Sequence, residues 1–146
     1  MNTEHSDMGK LKFILKPEHF CIHRLPIGTA INYYDKLTSA NWYSLTRTDD
    51  ELSVVAPCEI KLDSEKCEPD WSCLRIAGQL DFSLIGVIAE VARILADAGI
   101  SIFTVSTYDT DYILVKNVDV NQAIVVLSAA GHEVEADSIS SSTAVN

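Results

Sequence analysis

Leu84-Ile85-Gly86-Val87-Ile88-Ala89-Glu90-Val91-Ala92-Arg93-Ile94-Leu95-Ala96-Asp97-Ala98-Gly99-Ile100-Ser101-Ile102-Phe103-Thr104-Val105-Ser106 is the stretch that decides the fold. Over residues 84–98, Gly86, Glu90, Arg93 and Asp97 recur every three or four positions. They make one thin polar stripe on an apolar cylinder, which predicts a helix covered over most of its circumference. Ser83 stands where it can cap the helix start, and Gly99 suits the left-handed residue that ends it. From Ile100 the period becomes that of a strand. Residues 100–107 and 112–116 are rich in β-branched and aromatic side chains, and the polar run Tyr108-Asp109-Thr110-Asp111 between them predicts a turn. Together they form a hairpin.

Working outward, residues 72–79 alternate apolar and polar as a strand does. Downstream, Asp119 and Gln122 have the spacing of a capping pair. Ala123, Ile124, Leu127 and Ala130 then share one helical face before Gly131, and residues 132–136 close the set as a strand. Strand, helix, strand, strand, helix, strand is the α+β, ferredoxin-like βαββαβ order, in which two helices cover one face of a four-stranded antiparallel sheet. The other face needs a partner surface.

The first half supplies a candidate. Shifted by sixty residues, Tyr43-Ser44-Leu45-Thr46 falls on Phe103-Thr104-Val105-Ser106, Asp49 on Asp109, Glu51 on Asp111, and Val54-Val55 on Leu114-Val115. Residues 11–16 fall on 71–76 at the same offset, so the halves read as an old duplication. Pro26 and Gly28 interrupt the region matching the long helix, leaving a short helical piece around residues 29–37. The expected organisation is a disordered 1–9, a degenerate unit over 10–70, a complete unit over 71–137 and a disordered 138–146.

With 146 residues and 47% hydrophobic composition, the chain has apolar surface enough to fold. A net charge of −10 repels phosphate backbones and anionic membranes, which excludes a nucleic-acid partner and a membrane partner. No run approaches a membrane span, and the start resembles no signal peptide, so a cytoplasmic location is expected. Cys21, Cys58, Cys67 and Cys73 include no Cys-x-x-Cys pair and read as thiols. His19, Cys21 and His23 alternate on one strand face, but a fourth ligand is not evident, so they read as ordinary strand residues and no metal or cofactor is expected. The glycine loops, nucleophile elbows and His-Glu-x-x-His runs of the familiar catalytic motifs are missing, which argues against an enzyme.

Three runs together resemble the ACT domain family, in particular small tandem-ACT proteins akin to aspartate kinase regulatory domains and CASTOR-type arginine sensors: Leu80-Asp81-Phe82-Ser83-Leu84-Ile85-Gly86-Val87-Ile88-Ala89, Ala98-Gly99-Ile100-Ser101-Ile102, and Ser106-Thr107-Tyr108-Asp109-Thr110-Asp111-Tyr112-Ile113-Leu114-Val115. The first-half run Thr46-Arg47-Thr48-Asp49-Asp50-Glu51-Leu52-Ser53-Val54-Val55 adds to it. The resemblance implies two ACT-like units, regulation as the output, a homodimer, and an amino acid or similar small zwitterion bound between units. It nominates Phe82, Ser83, Gly86, Val87 and Ile88 at the helix start and Thr107, Tyr108, Thr110 and Asp111 at the hairpin. Arginine-sensing relatives carry an acidic side chain just before the helix-start glycine; Leu84 and Ile85 stand there in this chain, which points away from arginine. The alternative reading is an ACT-type protein–protein interaction module that has lost its ligand.

The chemistry of such a site is simple. Unpaired N–H groups and the positive dipole end of a helix attract a carboxylate, while Asp109 and Asp111 offer acceptors to an ammonium. Two or three such bonds, less the cost of association, give a dissociation constant on the order of micromolar to millimolar.

Overall fold

The computed structural model describes residues 9–29, 33–77 and 86–137. Among them are strands β1 (Lys12–Leu25), β2 (Ser44–Arg47), β3 (Leu52–Pro57), β4 (Lys66–Ile76), β5 (Ile102–Ser106), β6 (Asp111–Lys116) and β7 (Glu133–Ala136). The helices are α1 (Tyr33–Leu37), α2 (Val87–Asp97) and α3 (Val120–Ala129), the last entered through a 3-10 turn at Asn117–Asp119. The chain forms two compact units, Glu18–Trp71 and the pair of segments Met1–Pro17 and Ser72–Asn146, and crosses between them within β1 and within β4. No helix among the described residues is long and apolar enough to cross a membrane.

In the Glu18–Trp71 unit the strand order is β2-β3-β1-β4. β1 runs antiparallel to β3 from Phe20↔Pro57 to Leu25↔Leu52, and β2 lies antiparallel on the far side of β3. Leu25, Leu37, Val54 and Ala56 make the core, with Tyr43, Leu52, Ile60 and Leu62 packed around them. Leu37 is the buried contribution of α1, a helix of five residues that begins only after the Pro26 turn, whose carbonyl accepts from the Thr29 N–H at 3.0 Å. Between β3 and β4 the described chain holds no helix, so this unit lacks the second helix of the ferredoxin-like plan. One expectation needs correcting here: the Cys21 and Cys58 sulfurs form a disulfide, and only Cys67 and Cys73 lie outside one. The pairing follows from the β1–β3 register, in which the Cys58 N–H donates to the His19 carbonyl at 2.9 Å and brings Cys58 alongside Cys21.

The other unit carries the order β7-β1-β4-β6-β5. Its core gathers Phe13, Leu74, Ile76, Val91, Leu95, Ile113, Val115, Ala123 and Leu127, all at most 1% exposed. α2 inserts Val87, Val91, Ile94 and Leu95, spaced to fall on one face, and each such burial stabilises by roughly 1.5–3 kcal/mol. Its polar stripe faces outward, where Arg93 reaches Glu90 at 3.1 Å and Asp97 at 3.4 Å. Gly99, at φ 76°, ends the helix as its sequence position predicts.

Three details differ from the sequence reading. The Asp119–Gln122 capping pair does not form: Asp119 makes no side-chain cap bond, because its backbone (φ −101°, ψ −1°) continues the 3-10 turn instead of taking the extended conformation from which a capping side chain reaches the first amides. The four-stranded sheet of the simple plan has an extra member, the N-terminal half of β1, which lies between β7 and β4. Lys12–Leu15 pairs in parallel with Glu133–Ala136, the Leu11 N–H donates to His132 Nδ1 at 3.0 Å, and Lys12 pairs with Glu135. Lastly, the repeat is one residue shorter than sixty. Arg47↔Leu52 closes one hairpin and Ser106↔Asp111 the other, so Asp111 matches Leu52, and Thr110, not Asp111, stands opposite Glu51.

Candidate functional site

The hairpin turn at residues 107–110 is built by its own threonines. The Thr107 N–H and hydroxyl both donate to the Thr110 carbonyl, at 2.8 and 3.1 Å, and the Thr110 N–H returns a bond to Thr107 Oγ1 at 3.3 Å. Thr110 is 6% exposed, and its hydroxyl donates to the Ile76 carbonyl at 2.9 Å. Ile76 is the last residue of β4, so this bond pins the turn beside the strand end from which the chain sets out toward α2. At the other end of the same stretch Ser72 Oγ donates to Asn117 Oδ1 at 2.8 Å, which fixes β4 against β6 from both sides.

Gly86 precedes α2 at φ 88°, a conformation that favours glycine, and its carbonyl accepts the first helical bond from the Glu90 N–H at 2.9 Å. It carries no side-chain cap. The N–H groups of Val87, Ile88 and Ala89 precede that first bond and have no partner within the helix, as at every helix start. Glu90, the acid in this first turn, is held toward Arg93.

The predicted residues therefore divide. Phe82 and Ser83 lie outside the described residues, as do Leu84 and Ile85. Val87 is buried in the core and Ile88 packs against it, so their side chains serve packing and only their backbone faces a helix start. Thr107 and Thr110 hold the turn, with Thr110 spoken for by Ile76. Tyr108 is 75% exposed at the tip. The Asp111 carboxylate accepts from Ser106 Oγ at 2.5 Å, a partner that the sequence reading missed although the two residues face each other across the last pair of the hairpin. In the Glu18–Trp71 unit, Thr48 builds the same turn, its N–H donating to the Glu51 carbonyl at 2.9 Å and its hydroxyl accepting from the Glu51 N–H at 3.1 Å. There Glu51 is tied to Arg24 at 3.1 Å, and Arg24 also meets Glu65 at 2.9 Å. His19 is exposed, 4.0 Å from Asp70, while Cys21 and His23 are buried, so the alternating trio does not act as one set.

Residues 66–129, from β4 to α3, match the model of the ACT domain. Among solved structures, a protein from Agrobacterium tumefaciens is 32% identical with a TM-score of 0.79, covering 88% of this chain and 94% of that one. The regulatory subunit of aspartate kinase from Thermus flavus shares the fold at 12% identity, with a TM-score of 0.61 over 81% of this chain and 95% of that chain. The cytosolic arginine sensor for mTORC1 subunit 1 of Pongo abelii is 30% identical over 117 residues, 74% of this chain and 35% of its own length. This chain thus spans about a third of that curated relative. Residues 66–129 thus form an ACT domain, the chain has an α+β fold like that of the paired-ACT aspartate kinase regulatory subunit, and no catalytic domain is evident among its described residues.

Proposed function

We propose that this is a regulatory ACT protein that binds a free amino acid through the start of α2 and the threonine turn at residues 107–110. The observation that carries the reading is the Thr110–Ile76 bond, which fixes the turn beside the end of β4, the strand that precedes Gly86 and the open N–H groups of α2 along the chain. A ligand carboxylate on those N–H groups and an ammonium or basic side chain on Asp111 would satisfy both ends of a zwitterion. Family membership supports the class of ligand. The name of the Pongo abelii relative makes arginine worth including, while Leu84 and Ile85 in place of an acidic residue argue for another amino acid. A homodimer belongs to the same proposal and is checked by light scattering during gel filtration.

The test is a thermal-shift screen of the twenty amino acids, each well above its expected dissociation constant, since a ligand that binds only the folded state raises the melting temperature. A specific shift that disappears in Asp111→Ala and Gly86→Ala supports the site. A shift retained in both variants moves the site elsewhere, and no shift with any amino acid refutes the reading. The second reading, a ligand-free interaction module, draws on Tyr108, Val118 and Val125, which are 75%, 86% and 63% exposed. It predicts a folded protein that no amino acid stabilises.

A further inference from the structure

Three soft donors converge in the Glu18–Trp71 unit, which carries none of the residues of the proposed amino-acid site. The sulfurs of Cys21 and Cys67 and a ring nitrogen of His23 all lie within 4.8 Å of one another. Cys58 joins them through its bond to Cys21. The donors come from β1, β4 and the residue that follows β3, so three segments of one unit hold them and no mobile tail is needed.

His23 is the informative member. It is 6% exposed, its Nδ1 lies 3.1 Å from Ser64 Oγ, and its Nε2 has no hydrogen-bond partner. A buried imidazole nitrogen without a partner carries a desolvation cost that a ligand would remove. One ring nitrogen on a hydroxyl and the other without a partner is an arrangement that suits a metal-bound histidine. Lys61 donates to the Cys58 carbonyl at 3.1 Å, but burial and Glu68 outweigh its charge and push the Cys67 thiol up, so the metal itself must displace that proton.

We propose that the reduced protein binds one Zn2+ at this cluster, through the thiolates of Cys21, Cys58 and Cys67 and Nε2 of His23, and that the Cys21–Cys58 disulfide is the metal-free, oxidised state of the same site. Three sulfurs and one nitrogen are a structural zinc set, with Zn–S near 2.3 Å and Zn–N near 2.0 Å. Tetrahedral geometry at those lengths separates the sulfurs by about 3.8 Å, within the span of the converging donors. Conversion between the states balances: a dithiol reductant gives two electrons and two protons to the Cys21–Cys58 bond and ends as a disulfide itself. Zn2+ then displaces the protons of the three thiols into solvent. The low-spacing signal in the sequence was weak because Cys58 and Cys67 sit far along the chain from Cys21 and His23.

The experiment titrates Co2+, then Zn2+, into the full chain after reduction by a phosphine and removal of the reductant without air. The expected result is one Co2+ per chain with thiolate-to-cobalt charge-transfer absorption and the visible bands of a tetrahedral site, both abolished by Zn2+. Cys67→Ser and His23→Asn should each lose the tetrahedral spectrum, with circular dichroism reporting the fold. Cys73→Ser, in the other unit, should keep it. Ser64→Ala, which leaves every donor in place, should weaken affinity by about 10- to 100-fold. Protein oxidised to the Cys21–Cys58 disulfide should bind no Co2+ in this form. The proposal falls if reduced wild-type protein gives no charge-transfer band, if Cys67→Ser and His23→Asn keep the wild-type spectrum and affinity, or if the oxidised protein binds as the reduced one does.

Discussion

Replacing Thr110 by valine tests whether this residue acts on the site or through its architecture. Valine has the shape of threonine with a methyl in place of the hydroxyl, so the substitution removes one donor and little else. The bond lost is the 2.9 Å contact to the Ile76 carbonyl, and both residues are buried, at 6% and 1% exposure. A net hydrogen bond contributes about 0.5–1.5 kcal/mol, but a buried acceptor left without its donor raises the cost to roughly 1–3 kcal/mol. Water does not easily replace the hydroxyl there. Thr110→Ser keeps the donor and removes one methyl, at about 0.8 kcal/mol. Urea denaturation should therefore rank wild type above Thr110→Ser above Thr110→Val, with shifted midpoints and unchanged slope. An amino acid that stabilises the wild type should still stabilise Thr110→Ser and should lose affinity for Thr110→Val. Thr110→Val unfolding within about 0.5 kcal/mol of wild type would show that the Ile76 bond does not hold the turn, and the proposed placement of the turn beside β4 would go with it.

Other expectations follow from single features. Burial holds the His132 imidazole below its ordinary value, Glu90 opposing weakly, and its Nδ1 must stay unprotonated to accept from Leu11. The unfolded state then binds the proton first, so stability is full above about pH 6.5 and falls as pH drops through 6.5 toward the folded value, by at most about 1.4 kcal/mol per pH unit for this group. His132→Gln should flatten the slope of stability against pH between 6.5 and 5; an unchanged slope would clear His132 of the effect. Gly99 lies at φ 76° with open space where a side chain would go, so Gly99→Ala should destabilise by about 1 kcal/mol through backbone strain alone, and calorimetry finding no loss would contradict the assignment. Asp70 is the non-glycine residue with positive φ among the described residues, at 61°, and Asp70→Gly should therefore raise stability by a few tenths to about 1 kcal/mol in urea melts. The exposed Arg24 pairs with Glu51 and Glu65 should contribute at most about 1 kcal/mol together, so Arg24→Gln should have a small effect that vanishes in high salt.

Local features of this fold were legible in the sequence. The stripe Glu90, Arg93, Asp97 fixed α2 and its buried face because helix period is a property of neighbouring residues, and Gly99 and Gly131 marked helix ends for the same reason. What local pattern could not convey was pairing at a distance. Leu11 meets His132 across 121 positions, and nothing near either residue announces it. The Asp119 cap failed because a capping motif is the same string whether the backbone beneath it is extended or already turning. At the site, the bonds that build the turn were the part that local pattern did not convey. The bond from Thr110 to Ile76 spans 34 positions and was not announced nearby, while Ser106, which holds Asp111, gave no signal beyond its place opposite it.

The two long strands have a consequence for the order of events during synthesis. The ACT match begins at residue 66, yet the unit it belongs to also needs Leu11 and Phe13, which are synthesised well before their partners His132 and Val134. All of Glu18–Trp71 is synthesised before β5, β6 and β7. Leu11 and Phe13 must then wait uncovered until β7 arrives. A fragment cut at residue 66 would strand β7 without the strand it pairs with, which makes the family boundary a poor guide for expressing this domain alone.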